Sequence, residues 1–262
     1  MLSMPASKKR HVGEVTQFRI LRVFNDEAVR GYANAKSRIG RNALPYFESD
    51  SLADRIVREL AHERALPLKE VTEAFEFFAV TRRFIERTPV VVDLCSGHGL
   101  AGILFAAYSR ETTEVLLCDR RQPQAFDSVL RACIKAAPWV AEKVRYVEGN
   151  LDTTRHELPA GAAVLGVHAC GTMTDTCIEI AHELGGPLAV MPCCRANASS
   201  GAPSGLRHAL GEDVAYDVDR TYAMERKGYR VRWRDIPAEI TPMNRVLIAV
   251  PERVVCDAPP PG

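Results

Sequence analysis

The chain has 262 residues, 47% hydrophobic and 26% charged, with a formal net charge of +1. That length suits one large domain, or a domain with an extension, and buries a full core without disulfide or metal staples. The charge neither favours nor disfavours a polyanionic partner, and no apolar run approaches the ~18 residues of a membrane span.

The first residues, MLSMPASKKRHVG, lack the apolar stretch of a signal peptide. Residues 1–50 carry nine basic residues against five acids, and within them RGYANAKSRIGRN holds four basic residues and one tyrosine. A solvated face is the first reading of that run and a nucleic-acid contact the second. Ser51 opens SLADRIVRELAHERA, with apolar residues at helical spacing. After Pro67, LKEVTEAFEFFAVTRRFIER has a second apolar face through Val71, Ala74, Phe75, Phe78 and Phe84. Residues 1–88 are therefore expected to be a helical extension, a cap or lid on the domain that begins at residue 89.

From Pro89 the rhythm changes. VVVDLC is a short β-branched run typical of a buried parallel strand, followed by a glycine loop and the helical LAGILFAAYSR. Strands EVLLCD, KVRYVEG, AAVLGVHA and PLAVMPC come next, with the helices QPQAFDSVLRACIKAAP and TDTCIEIAHEL between them. A loop rich in Ser, Gly, Ala and Pro spans 195–205, with a short helix near 204–210. Strands YRVRWRDI and NRVLIAVP close the fold. This alternation predicts a doubly wound α/β sheet over 89–252, and the tail 253–262, ending DAPPPG, is expected to be disordered. Eight cysteines are scattered without a C-x-x-C or a regular framework. A cytoplasmic protein with no membrane partner is the expectation.

VVDLCSGHGLAG, residues 91–102, matches G-x-G-x-x-G through Gly97, Gly99 and Gly102. Glycines there let a backbone turn tightly against a ligand, but the pattern alone does not choose between NAD and another adenosine. Asp93 lies in the strand, where a carboxylate repels a pyrophosphate and suits an amine-bearing ligand. Asp119 ends the second strand about 20 residues on and is placed to accept from ribose hydroxyls. Two closing strands in place of a second mononucleotide half suit one adenosine.

These residues resemble motif I and, in LLCD, motif II of the class I S-adenosylmethionine-dependent methyltransferases. The resemblance covers about 89–250. It implies a Rossmann-like, seven-stranded, mostly parallel sheet whose last strand is antiparallel. It also implies S-adenosylmethionine as cofactor, held by Asp93, Cys95, Gly97, His98, Gly99, Asp119 and, after the third strand, Asn150 facing adenine. HACGTMTD, PCC and ITPMNRVLIAVP are similar to one branch of that superfamily, that of the eukaryotic tRNA ribose 2'-O-methyltransferases and related methyltransferase-like proteins. Ala169 and Arg195 depart from its usual Leu and His, and its zinc-finger modules have no counterpart here. The branch implies RNA as one acceptor, beside a small molecule or a protein.

Methyl transfer is an in-line displacement in which the protein supplies positioning and sometimes a base. The candidates are His168, at the end of the fourth strand, and Cys193 and Cys194, after the fifth. His168 reads as a general base or as a pocket-shaping residue. The two cysteines read first as buried thiols, next as part of a metal site with His168 and Cys170, and last as nucleophiles; no metal is predicted. Thr172 and Asp175 form a T-x-x-D helix-capping pair. Arg230, Arg232 and Arg234 alternate with Tyr229, Val231 and Trp233, giving an edge strand guarded by charge or, second, a phosphate-binding stripe. Asn244 and Arg245 either reach the pocket or cap a strand. An NAD-dependent oxidoreductase and a non-catalytic binding module stand as the alternatives to a methyltransferase.

Overall fold

In the central strands, successive residues are apolar on both faces, so a sheet built from them must be covered on both sides. The computed structural model describes residues 16–192 and 201–252 and shows that arrangement. Seven strands, β1 (Val90–Leu94), β2 (Glu114–Asp119), β3 (Val144–Glu148), β4 (Ala163–Val167), β5 (Leu188–Met191), β6 (Tyr229–Asp235) and β7 (Arg245–Pro251), form one sheet in the order β3-β2-β1-β4-β5-β7-β6. The first five pair in parallel, and β7 runs antiparallel to both β5 and β6. The last strand alone is reversed, as expected.

Nine α-helices lie among the described residues: α1 (Glu27–Arg30), α2 (Leu52–Glu63), α3 (Leu68–Ile85), α4 (Leu100–Tyr108), α5 (Ala125–Ala136), α6 (Leu151–Thr154), α7 (Met173–Leu184), α8 (Ser204–Leu210) and α9 (Glu212–Arg226). None is long and apolar enough to cross a membrane. Period two divides the strands between two cores. Val91, Val115, Leu117, Leu165 and Ile248 face one core with α2 to α5, while Val92, Leu116, Val164, Val190 and Leu247 face the other with α7 and Met224 of α9. Asp93, two residues from Val91, therefore points to the α3–α4 side.

The N-terminal helices share this first core. Phe18, Leu21, Phe24 and Phe47 belong to the same buried cluster as Phe75, Phe78 and Phe105. Phe78 of α3 meets Phe105 of α4 edge to face at 4.9 Å. Residues 35–39 run beside the start of α3: Leu68 and Lys69 donate their N–H groups to the carbonyls of Ser37 and Ala35, at 3.1 and 3.0 Å. The first-turn donors of α3, which would otherwise lack partners, are satisfied that way.

Two expectations about the later helices change. α9 does not stand out in the sequence, because EDVAYDVDRTYAMER is polar on most of its surface and buries only a narrow stripe. Asp175 does not cap α7: Thr172 makes no side-chain capping bond, and the Asp175 carboxylate instead receives Arg220 of α9 through Nε at 2.7 Å and Nη2 at 3.1 Å. A buried guanidinium needs a charged partner more than a helix end needs a second cap.

Candidate functional site

The site forms where β1 ends. Cys95 turns the chain at φ +56°, in the left-handed region that favours glycine, and Gly97 and Gly99 come after it at φ +52° and +74°. Gly99 is the N-cap of α4, and its N–H closes the turn onto the Ser96 carbonyl at 2.8 Å. The loop is pinned at Gly97 from both sides. The Gly97 N–H donates to Asp119 Oδ2 at 2.8 Å, and the Tyr146 hydroxyl donates to the Gly97 carbonyl at 3.0 Å. Gly99 and Gly102 are required for another reason. A Cβ on Gly99 would sit 2.4 Å from Leu117 Cδ1, and one on Gly102 would sit 2.7 Å from Leu117 Cδ2 and 3.1 Å from Asp93 Oδ2. The third glycine of the pattern thus lets α4 approach the sheet and bring its own N–H to Asp93.

Asp93 is 2% exposed. Its Oδ2 accepts from the Gly102 N–H at 3.0 Å, and its Oδ1 is buried with no hydrogen-bond partner. Burial pushes its pKa up to about 7, against the pull of the Gly102 N–H. A buried carboxylate oxygen with no donor, beside a glycine loop, suits a ligand that brings a donor or a positive charge. Cys95 lies beside it, but burial first and then the Asp119 charge push its thiol to about 11, so it stays protonated and is no nucleophile.

A wall for this cradle comes from α3, which sequence reasoning assigned only to a cap. A cavity of about 290 Å³ is lined by Lys69, Glu70 and Glu73 of α3 together with Asp93, the 95–98 loop and His168. His168, at the tip of β4, is held at φ +60°. Its Nε2 lies 2.9 Å from Oε2 of Glu73, whose other oxygen takes Lys69 Nζ at 2.7 Å. Burial alone would raise the Glu73 pKa, but the His168 ring and the Lys69 ammonium outweigh it and hold the carboxyl below its ordinary value. His98 accepts from the Leu100 N–H through Nδ1 at 3.1 Å and places Nε2 3.4 Å from Glu70. Burial, and then the neighbouring His168, push its pKa down to about 4, so the ring is neutral near pH 7.

Of the predicted residues, Asp93, Cys95, Gly97, His98 and His168 line one cavity. Gly99 is not in its lining and caps α4 at the end of the loop. Asp119 meets it through Gly97 and also accepts from the Arg120 N–H at 2.6 Å; each carboxylate oxygen keeps a further lone pair for a ligand. Asn150 caps α6, its Oδ1 accepting from the Asp152 N–H at 3.2 Å. Cys193, Cys194 and Arg195 lie outside the described residues. Among the described residues no group of three His, Cys, Asp or Glu side chains is arranged to hold a metal. Asn244 and Arg245 take structural roles. Asn244 Nδ2 donates to the Ile236 carbonyl at 2.7 Å, while Arg245 pairs with Asp217 at 2.6 Å and lies over the Trp233 ring. The residues missed were Lys69, Glu70, Glu73 and Tyr146. The one signal for the first three was a pair of glutamates, Glu73 and Glu76, on the apolar face of a helix.

Residues 67–200 match a family model described as a methyltransferase domain, over just more than half of the chain. The chain belongs to that family. A further relative of this methyltransferase domain is a glutathione S-transferase C-terminal domain-containing protein of Xenopus laevis, 25% identical over 136 residues. The match takes in 52% of this chain and 21% of that protein, so the chain spans about a fifth of its relative's length. Among solved structures, the SAH-bound methyltransferase PaMTH1 of Podospora anserina is 11% identical with a TM-score of 0.46, over 86% of this chain and 93% of that one. The precorrin-6y C5,15-methyltransferase of Geobacter metallireducens GS-15 is 16% identical with a TM-score of 0.42, over 69% and 88%.

Proposed function

We propose that the chain binds S-adenosylmethionine in the cradle at the end of β1 and transfers its methyl group to RNA. The observation that carries the cofactor is the unpartnered Oδ1 of Asp93, a buried acceptor without a donor in the wall of the cavity beside the glycine loop. Asp119 and the pinned Gly97 would hold the ribose, with Asn150 toward adenine. The cofactor brings an electrophilic methyl group on a sulfonium. The protein's part is to orient both reactants and to take a proton from the acceptor.

His168 is suited to that proton transfer. With its Nε2–H donated to Glu73, the imidazole presents Nδ1 as the free acceptor. Glu73 is then a positioning residue that fixes the tautomer and supports the charge gained.

RNA is favoured by the edge strand. Arg232 and Arg234 of β6 and Arg83 of α3 place their guanidinium carbons 5.9, 6.0 and 5.3 Å from the centre of the Phe84 ring. Cations gathered on an aromatic surface suit phosphates and bases together. Calorimetry with S-adenosylmethionine, S-adenosylhomocysteine and NAD tests the cofactor: binding of the sulfur nucleotides and not NAD is expected, and folded protein that binds neither sulfur nucleotide overturns the reading. Incubation with methyl-tritiated cofactor and total RNA, protein and small-molecule fractions tests the acceptor; label in the RNA fraction is expected.

A further inference from the structure

The basic run singled out in the sequence encloses a second cavity. No acid occurs between Glu27 and Glu48, while Arg30, Lys36, Arg38 and Arg41 all fall in that interval. In the fold this stretch wraps around a space of about 370 Å³. Its walls are apolar and aromatic, from Val23, Phe24, Val29, Ile39, Phe47 and Leu68. Two tyrosines that line it, Tyr32 and Tyr46, are 63% and 52% exposed. Ser37, Arg38 and Asn42 supply polar groups at its edge. The volume lies within the range of small-ligand pockets, and an apolar body with a few polar groups is their usual composition.

Charge and shape here ask for one kind of ligand. Arg30 is committed to Glu239, and Arg38 donates to the carbonyls of Arg64 and Ala65 at the end of α2. Arg38 is the cation in the lining itself, while Lys36 and Arg41 are exposed surface cations that flank lining residues in sequence without lining the cavity. Arg38 also lines a neighbouring, polar cavity of about 390 Å³ along α5, with Gln124, Asp127, Ser128 and Arg131. The ligand that fits is flat and aromatic at one end and anionic at the other. A base stacked on tyrosine with its phosphate toward a lysine and an arginine has that form.

We propose that this N-terminal cavity is a nucleotide-binding site, taking a base against Tyr32 and Tyr46 and its phosphate at the mouth, toward Arg38 and the surface cations Lys36 and Arg41. The nucleotide is either a free monophosphate or an unpaired residue of an RNA strand. Residues 35–39 form one wall of the cavity and hydrogen-bond to the first turn of α3, which next supplies Lys69, Glu70 and Glu73 to the cradle. The two cavities therefore flank the same first turn of α3. As an acceptor-binding site the cavity rests on the proposed methyl transfer; as a nucleotide site it does not.

The test uses the full chain with UMP, a ten-residue oligouridylate and inorganic phosphate, read by calorimetry and, for the oligomer, by fluorescence anisotropy. Uridine probes keep adenine recognition by the cradle out of the measurement. Tyr32→Ala, at an exposed position, should weaken uridylate binding about tenfold, and Ala43→Trp, which fills the cavity, should abolish it. S-adenosylhomocysteine binding, measured on the same samples, verifies that each variant is folded and keeps its cradle; where it is absent in all samples, a thermal unfolding transition serves. Tighter binding of the oligomer than of UMP assigns the RNA strand, equal binding assigns the free nucleotide, and both uphold the site. Absence of binding, affinity for inorganic phosphate equal to that for UMP, or binding indifferent to both substitutions overturns it. A chain that binds S-adenosylhomocysteine but no uridylate loses only this site. One that binds uridylate through Tyr32 but no sulfur nucleotide loses only the methyl-transfer reading.

Discussion

Ionising Asp93 in the folded chain means charging a carboxylate that has one N–H partner on Oδ2 and none on Oδ1. Its pKa of about 7 lies above the ordinary 3.8, so the folded state holds this proton more firmly than the unfolded state does. Stability from that difference is fully present below about pH 4 and is lost as the pH rises toward 7. Asp93→Asn removes the charge and keeps an oxygen for the Gly102 N–H. The variant should therefore melt about 2 °C or more above the parent at pH 8, with the gap closing at pH 5. It should also bind S-adenosylmethionine at least about tenfold more weakly. A melting difference that does not vary with pH would rule out the buried charge as its cause. Asp93, the glycines and Asp119 were readable because β1, its loop and β2 are close in sequence and keep fixed periods. The Glu73–His168 pair was not. Its members are 95 residues apart, and only the packing of α3 across the sheet ends brings them together.

On the scale of an element, α3 is the piece on which most depends. Glu70, Glu73 and Glu76 are spaced three apart, so they climb one side of the helix. Glu70 faces His98, Glu73 faces His168, and Glu76 accepts the backbone N–H groups of Arg19, Ile20 and Leu21 at 2.9, 3.1 and 3.3 Å. Burial raises the Glu76 pKa despite those bonds. Glu76→Ala leaves three amides without their acceptor, and a loss of about 1–3 kcal/mol is expected. Hydrogen exchange should show residues 19–21 opening at least tenfold faster, while β1 amides track only the global change. Unchanged exchange at 19–21 would mean that this segment is held by its phenylalanines alone. The apolar positions of α2 and α3 announce their inward faces, whereas a glutamate on such a face looks like an error of pattern until its partners are known. α9 was hidden for the converse reason: it buries Arg220 and Asp217 against opposite charges, and charged residues carry no apolar period.

For the molecule as a whole, the first core does not stop at residue 89. Phe18 to Phe47, the aromatic run of α3 and the inward residues of β1, β4 and β7 form one cluster. Residues 89–252 alone would keep α4 and α5 but uncover the apolar surface on which α2 and α3 pack, and lose a wall of the cradle. The full chain should unfold in a single calorimetric transition, and the 89–252 fragment should show no cooperative transition. Two separate transitions in the full chain would make the N-terminal part an independent unit. The order of strands has a consequence at the two margins of the sheet. β3 ends one side with Arg145 and Glu148 exposed, and β6 ends the other with Arg230 and Arg232 exposed. A further strand arriving at either margin would have to set its own side chains against these charges while desolvating them. Growth of the sheet from one copy to the next, the usual first step toward a fibril, is thereby discouraged at both ends by residues that contribute little to the fold itself.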